Sequence, residues 1–197
     1  MKTETFIALI LTGLLVGCSI NMNFVRSPQG ADFYPLETGT SWIYFTFNGE
    51  LEREILNETF SYEGKEYKKK VHRYESGQID TTYHRKENGT VYSLDNKTFV
   101  ESVQIPAKLK EGFAWVSNDE DWKYEIITTD TVFSSPEKEW QDAIMIQARQ
   151  LTGRDDNKSE KYNLYYAKDI GHVGSTTSTG FSSFLMEWEK PKSALAW

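Results

Sequence analysis

Turn-forming dipeptides recur at short intervals along the chain, at Asn48-Gly49, Glu63-Gly64, Ser76-Gly77, Asn88-Gly89 and Asp95-Asn96. The runs between them are rich in Tyr, Trp, Phe, Val, Ile and Thr, which suit a pleated, half-buried surface. Short β-prone runs closed by such turns fold as antiparallel hairpins. A two-residue turn at Ser76-Gly77 pairs Tyr74 with Ile79 and Arg73 with Asp80, and one at Asn88-Gly89 pairs Arg85 with Tyr92 and Tyr83 with Leu94. This register gathers Tyr74, Ile79, Tyr83, Tyr92 and Leu94 on an apolar face. The wet face receives Lys69, Arg73, Asp80, Thr82, His84, Lys86 and Ser93, together with the misplaced Tyr67 and Val71. One apolar and one wet face is the pattern of an antiparallel sheet over a core.

The second half alternates in the same way, through Trp122, Tyr124 and Ile126, then Tyr162, Leu164 and Tyr166, then Phe184, Met186 and Trp188. Ile144-Met145-Ile146 reads as a strand buried on both faces. No long window carries a 3.6-residue apolar stripe, and a short helix is expected only near Pro136 to Gln141. The expected fold is all-β: an antiparallel meander of about ten to twelve strands with little helix, curled into an open half-barrel or a barrel. There is also an internal echo. Pro35 precedes Gly39-Thr40-Ser41-Trp42, and Pro106 precedes Gly112-Phe113-Ala114-Trp115.

The amino end follows other rules. An apolar run from Phe6 to Val16 sits behind Lys2 and is about half the ~20 residues a transmembrane helix needs. Leu15-Val16-Gly17-Cys18 resembles the lipobox read by lipoprotein signal peptidase. The resemblance implies cleavage before Cys18, lipid on its thiol and, with Ser19 following, delivery to the outer membrane, on a side the sequence does not specify. Each buried lipid CH₂ contributes ~0.8 kcal/mol, so two or more chains make such a tether stable. Residues 1–17 are then the signal, 18–32 a lipidated flexible tether, and 33–197 a single β-rich domain. Cys18 is the sole cysteine, so the fold must hold without an internal disulfide. The net charge of −7 is unchanged by loss of Lys2 and Glu4, and there is no basic stripe, which argues against nucleic acid as a partner.

Two further segments resemble a group of uncharacterised Gram-negative outer-membrane lipoproteins. They are Tyr34-Pro35-Leu36 with Gly39-Thr40, Trp42 and Tyr44, and Tyr165-Tyr166-Ala167-Lys168 with Gly171 and Val173. Asp169-Ile170 and His172 depart from that pattern. The resemblance implies a mostly antiparallel β fold, similar to the half-barrel lipoprotein carriers, and supplies no catalytic residues.

No catalytic motif emerges from the residues themselves. Gly180-Phe181-Ser182-Ser183 lacks the closing glycine of a nucleophile elbow, and no phosphate-binding or dinucleotide fingerprint occurs. The expected register sends His72 and His84 to opposite faces, and His172 has no partner at ligand spacing, so no metal site or cofactor is expected. Asp119-Glu120-Asp121 and Asp155-Asp156-Asn157 read as solvated loops, the second lacking the glycine and final acid of a calcium hand. Trp42, Tyr44, Trp115 and Trp122 are the residues expected to face a ligand. The functional expectation is a non-catalytic envelope lipoprotein, held to the membrane by its lipid. It would be an accessory or scaffold, or bind an apolar ligand or a protein partner. The alternatives are a cell-wall or glycan hydrolase with paired carboxylates, and a structural part of a surface assembly.

Overall fold

The computed structural model describes residues 27–151 and 161–191. Leu15, Val16 and Gly17, expected to form a lipobox, Cys18, expected to be lipidated, and the run Asp155-Asp156-Asn157 lie outside them. Twelve strands follow one another: β1 (Ser41–Thr46), β2 (Gly49–Tyr62), β3 (Lys65–Tyr74), β4 (Ile79–Glu87), β5 (Thr90–Leu94), β6 (Glu101–Ile105), β7 (Ala114–Val116), β8 (Trp122–Ser134), β9 (Glu139–Gln150), β10 (Lys161–Ala167), β11 (Gly171–Thr177) and β12 (Gly180–Glu189). All pairings are antiparallel, in the spatial order β6-β5-β4-β3-β2-β1-β12-β11-β10-β9-β8-β7. The sheet curls into a nearly closed barrel, as the strand and turn pattern predicts. The only helix among the described residues is a 3₁₀ turn, Gly30–Phe33. The helix expected near Pro136 to Gln141 does not form. The N–H of Ser135 donates to the carbonyl of Lys138 at 2.9 Å, closing a turn around Pro136, and β9 begins at Glu139.

The sheet is two six-stranded meanders, and the echo in the sequence marks the start of each. Gly39 donates to the carbonyl of Ile55 (2.7 Å), and Ile55 donates back to Thr40 (2.9 Å). In the second half Gly112 donates to Ile126 (2.8 Å), and Ile126 donates back to Phe113 (3.0 Å). Both glycines take the left-handed conformation, φ 84° and 77°, that such a corner favours. The register shifts just beyond the isoleucine in each half, at Ile55/Thr59 and Ile126/Thr128.

The junctions between the halves differ. β1 and β12 share a full ladder from Ser41↔Glu189 to Thr46↔Ser183. Their counterparts β6 and β7 form no ladder among the described residues. β7 is only three residues long, and side chains close the seam instead. Trp115 Nε1 donates to the carbonyl of Val103 at 3.0 Å, the N–H of Asn118 donates to Ser102 Oγ at 3.0 Å, and Asn118 Nδ2 reaches the carbonyl of Glu101.

One end of the barrel is filled. The 3₁₀ turn sets Phe33 and Tyr34 among Val91, Ile105, Ile126, Ile144, Ile146 and Tyr166, all buried. Each such side chain contributes roughly 1.5–3 kcal/mol on leaving water. Gly30 lies so close to β6 that a Cβ there would sit 2.2 Å from the carbonyl oxygen of Pro106. The two segments that carry the lipoprotein resemblance meet beside this plug. Trp42 Nε1 donates to the carbonyl of Ile170 (2.7 Å), the hydroxyl of Tyr44 donates to that of His172 (2.8 Å), and the N–H of Asp169 donates to Asp32 (2.8 Å).

Candidate ligand-binding site

The β3–β4 turn decides which side chains face the barrel interior. It has three residues, Glu75-Ser76-Gly77, because Tyr74 donates to the carbonyl of Gln78 (2.9 Å) and Gly77 takes φ 83°. Pairing is therefore Arg73↔Ile79 and His72↔Asp80, one residue away from the two-residue reading. A slip of one residue moves a whole strand's side chains to the other face. The β4–β5 turn does pair as expected, with Arg85↔Tyr92 and Tyr83↔Leu94. The combined result corrects the expected placement of the histidines. Arg53 pairs with His72, Lys70 with Thr82 and His84 with Ser93, and His72 and His84 share one face. Tyr67, Val71, Tyr83, Tyr92 and Leu94 share the other, outward face, together with the exposed Ile79.

The polar face is the inward one. Arg53, Lys70, His72, Thr82 and His84 line a cavity of about 410 Å³, closed across the barrel by Tyr34, Gln104, Tyr124, Tyr162, Leu164, Tyr166, His172, Ser175 and Ser183. No Asp or Glu is among them. Thr82, His84, Gln104 and Tyr124 also line a second recess of about 210 Å³, which runs along the β6–β7 seam past Ser93, Ser102, Trp122, Asp95 and Asp119.

Aromatic rings hold the cations in place. Lys70 Nζ lies 4.6 Å from the centre of the Tyr34 ring and 5.0 Å from that of Trp42, and donates to the Tyr34 hydroxyl at 3.2 Å. The Arg53 guanidinium lies 4.6 Å from the centre of the Tyr44 ring. His172 packs against Tyr44 and Tyr166, with ring centres 5.5 and 5.4 Å apart. The Thr82 hydroxyl stands between His72 Nε2 (2.9 Å) and His84 Nε2 (2.8 Å). Four buried side-chain nitrogens have no hydrogen-bond partner among the described residues: Arg53 Nε, His172 Nδ1 and His172 Nε2 on residues that line the cavity, and Trp140 Nε1 away from it. Native interiors leave few such groups, and each costs about 1–3 kcal/mol.

Burial sets the protonation of this layer. Desolvation, then the charge of Arg53, holds the Lys70 ammonium well below its usual range. His172 is lowered by desolvation and then by Arg53 and Lys70. The nearby Gly174 backbone favours its charged form, without a hydrogen bond of ordinary geometry to either ring nitrogen. His84 is lowered by desolvation, then by Lys70, His72 and Arg53. His72 falls to about 2 through desolvation, Arg53 and Lys70. Desolvation likewise pushes the Tyr44 hydroxyl up to about 12. The interior thus holds imidazoles kept neutral by burial and by neighbouring cations.

The residues expected to face a ligand are dispersed around this cavity. Trp42 and Tyr44 point inward and back the cation layer, each almost fully buried. Trp122 lines the seam recess, its ring 5.3 Å from Tyr162 and edge-on. Trp115 stacks on Tyr124 at 5.4 Å and anchors the seam. The histidines were weighed from the sequence only as metal ligands, and Arg53 and Lys70 were not singled out. Their signal is the parity of Arg53, Lys70-Xaa-His72 and Thr82-Xaa-His84, which becomes readable only with the three-residue turn. Although three histidines line one cavity, no three His, Cys, Asp or Glu side chains converge on a metal position among the described residues. Asp119 folds back to accept from Ser117 Oγ and from the N–H of Asp121. No protein-family model, no curated protein and no solved structure matches the chain.

Proposed function

We propose that the chain is a lipid-anchored envelope protein that binds a small polar ligand inside its barrel and performs no chemistry on it. The observation that carries this reading is the internal cavity of about 410 Å³ with unpaired polar nitrogens in its wall. Ligand pockets commonly span ~300–1,000 Å³ and hold a few well-placed polar groups in an otherwise packed frame. The cavity wall offers no carboxylate, and Asp95 and Asp119 in the seam recess accept hydrogen bonds within their own loops, which weighs against the glycoside-hydrolase alternative. Its polarity favours a ligand with hydrogen-bonding groups over the purely apolar one the sequence suggested. Residues 27–29 join the barrel at the plugged end, where Gln29 bridges to Lys108. A tether from Cys18 would attach there.

Native mass spectrometry of the full chain, extracted from the membranes in which it is made, tests the reading. The expected result is a bound small molecule, released on denaturation and absent from a Ser183→Phe variant that fills the cavity. Wild-type protein carrying nothing would overturn lumenal binding. A Cys18→Ser variant should leave the membrane fraction, and its retention there would overturn the anchor.

A further inference from the structure

We infer that the ligand is a small oxyanion, a carboxylate or phosphate held between Arg53 and His172 in the barrel interior. The inference rests on the lumenal-binding reading above and names the ligand class of that site. Three observations converge. Arg53 Nε and both ring nitrogens of His172 are buried without partners, and both side chains pack on Tyr44 and line the cavity. Lys70 adds a second cation and is 5% exposed. No acid lines the cavity to pair with either cation, although the chain as a whole is acidic by seven charges. Lys70 is buried and Arg53 half-buried, and a charge drawn out of water is stabilised by a counter-charge or a full set of hydrogen bonds. An oxyanion supplies both, and guanidinium matches its geometry with two parallel donors.

The proton balance follows from the same geometry. The groups facing His172 are Arg53 from β2, Lys70 and His72 from β3, His84 from β4, and the hydroxyls of Tyr44 and Tyr166; none is a carboxylate. Those cations and burial keep His172 neutral, so only one ring nitrogen carries a proton. An anion beside it reverses the local field and lets the second nitrogen take a proton from solvent. The anion therefore enters with proton uptake at His172, and its affinity rises as pH falls.

Isothermal titration of the full lipidated chain in detergent tests this, with inorganic phosphate and succinate as probes and succinamide as the neutral control. Phosphate and succinate distinguish a phosphoryl from a carboxylate ligand. The expected result is saturable binding of at least one oxyanion. It should weaken at least tenfold in Arg53→Gln and in His172→Gln, the loss of a charge-assisted hydrogen bond being worth ~1.5–3 kcal/mol. Arg73→Gln, on the opposite face of β3 and paired with Glu52 and Glu54, should leave it unchanged. Binding by succinamide as strong as by succinate, with no effect of Arg53→Gln, would overturn the oxyanion and leave lumenal binding standing. Failure of both oxyanions, while the extracted protein still carries a small molecule, would do the same.

Discussion

Two arginines, both on the strands around β3, show how differently the two faces of this sheet treat charge. Arg85, on the outward face, is 9% exposed and saturated with partners. Its Nε and Nη2 donate to Glu101 at 2.6 and 2.9 Å, Nη1 pairs with Glu87 at 2.8 Å, and its guanidinium lies 4.2 Å from the Tyr92 ring centre. Tyr67 and Lys65 donate to the same Glu101 carboxylate at 2.6 and 2.9 Å. The network holds Glu101 at about 2, through Arg85 first. Arg53, on the inward face, has Tyr44 beneath it, cations around it and no carboxylate. The outward charges neutralise each other and fasten β6 to β3 and β4. The inward charges have no carboxylate among the residues that line the cavity, so that face costs stability where the outward one adds it.

The largest expected break in this contrast comes from acid. His72, His84 and His172 are depressed in the fold, and an unfolded imidazole titrates near 6.5. Below about pH 6.5 the unfolded chain binds protons that the native chain refuses, so stability falls as pH falls. Three such groups give a slope approaching ~4 kcal/mol per pH unit below about pH 5.5. Thermal melts should fall steeply from pH 6.5 to 5, and a flat profile would mean the interior is hydrated. Glu101 has the same sign in a lower window, its contribution being full above 4.5 and lost as pH falls toward 2.

Replacing Glu101 by Gln should come next, with a loss of about 2–3 kcal/mol, between the values for exposed and fully buried ion pairs. Urea unfolding measures it, and a change below 0.5 kcal/mol would show the outward network to be ornamental. The inward face should respond in the opposite direction. Lys70→Met removes a buried amine whose charged form burial disfavours, and is expected to raise stability by about 1–2 kcal/mol. If Lys70→Met destabilised the chain as Glu101→Gln does, the two faces would not differ in kind. The smallest effect is expected at Lys69–Glu58, an exposed pair at 2.7 Å, where Glu58→Gln should change stability by less than about 0.5 kcal/mol.

Much of the architecture was legible in the residues. Alternation and turn spacing specify an all-β meander, Asn88-Gly89 sets its hairpin register, and the Gly-Xaa-Xaa-Trp echo marks both halves of the barrel. What was not legible came from two sources. Ser76-Gly77 is compatible with turns of two or three residues, and that single choice decides whether His72 faces His84 or turns away from it. Apolar residues were also assigned to the inside, whereas β3–β5 place Tyr83, Tyr92 and Leu94 on the outward face. There Phe60 stacks on Tyr83 at 4.6 Å, and Phe99 stacks on Tyr62 at 5.2 Å. A polar cavity within the lumen inverts the usual rule along β3–β5, and only long-range pairing reveals the inversion.

Histidine NMR of the full chain at pH 6, recorded with and without saturating oxyanion, tests most directly that the interior is an anion site awaiting its counter-charge. The account predicts neutral imidazoles in the free protein and conversion of His172 to its charged form on binding, with the exposed face unmoved. An imidazole of His172 already charged in the free protein, or one left neutral while ligand binds, would contradict it.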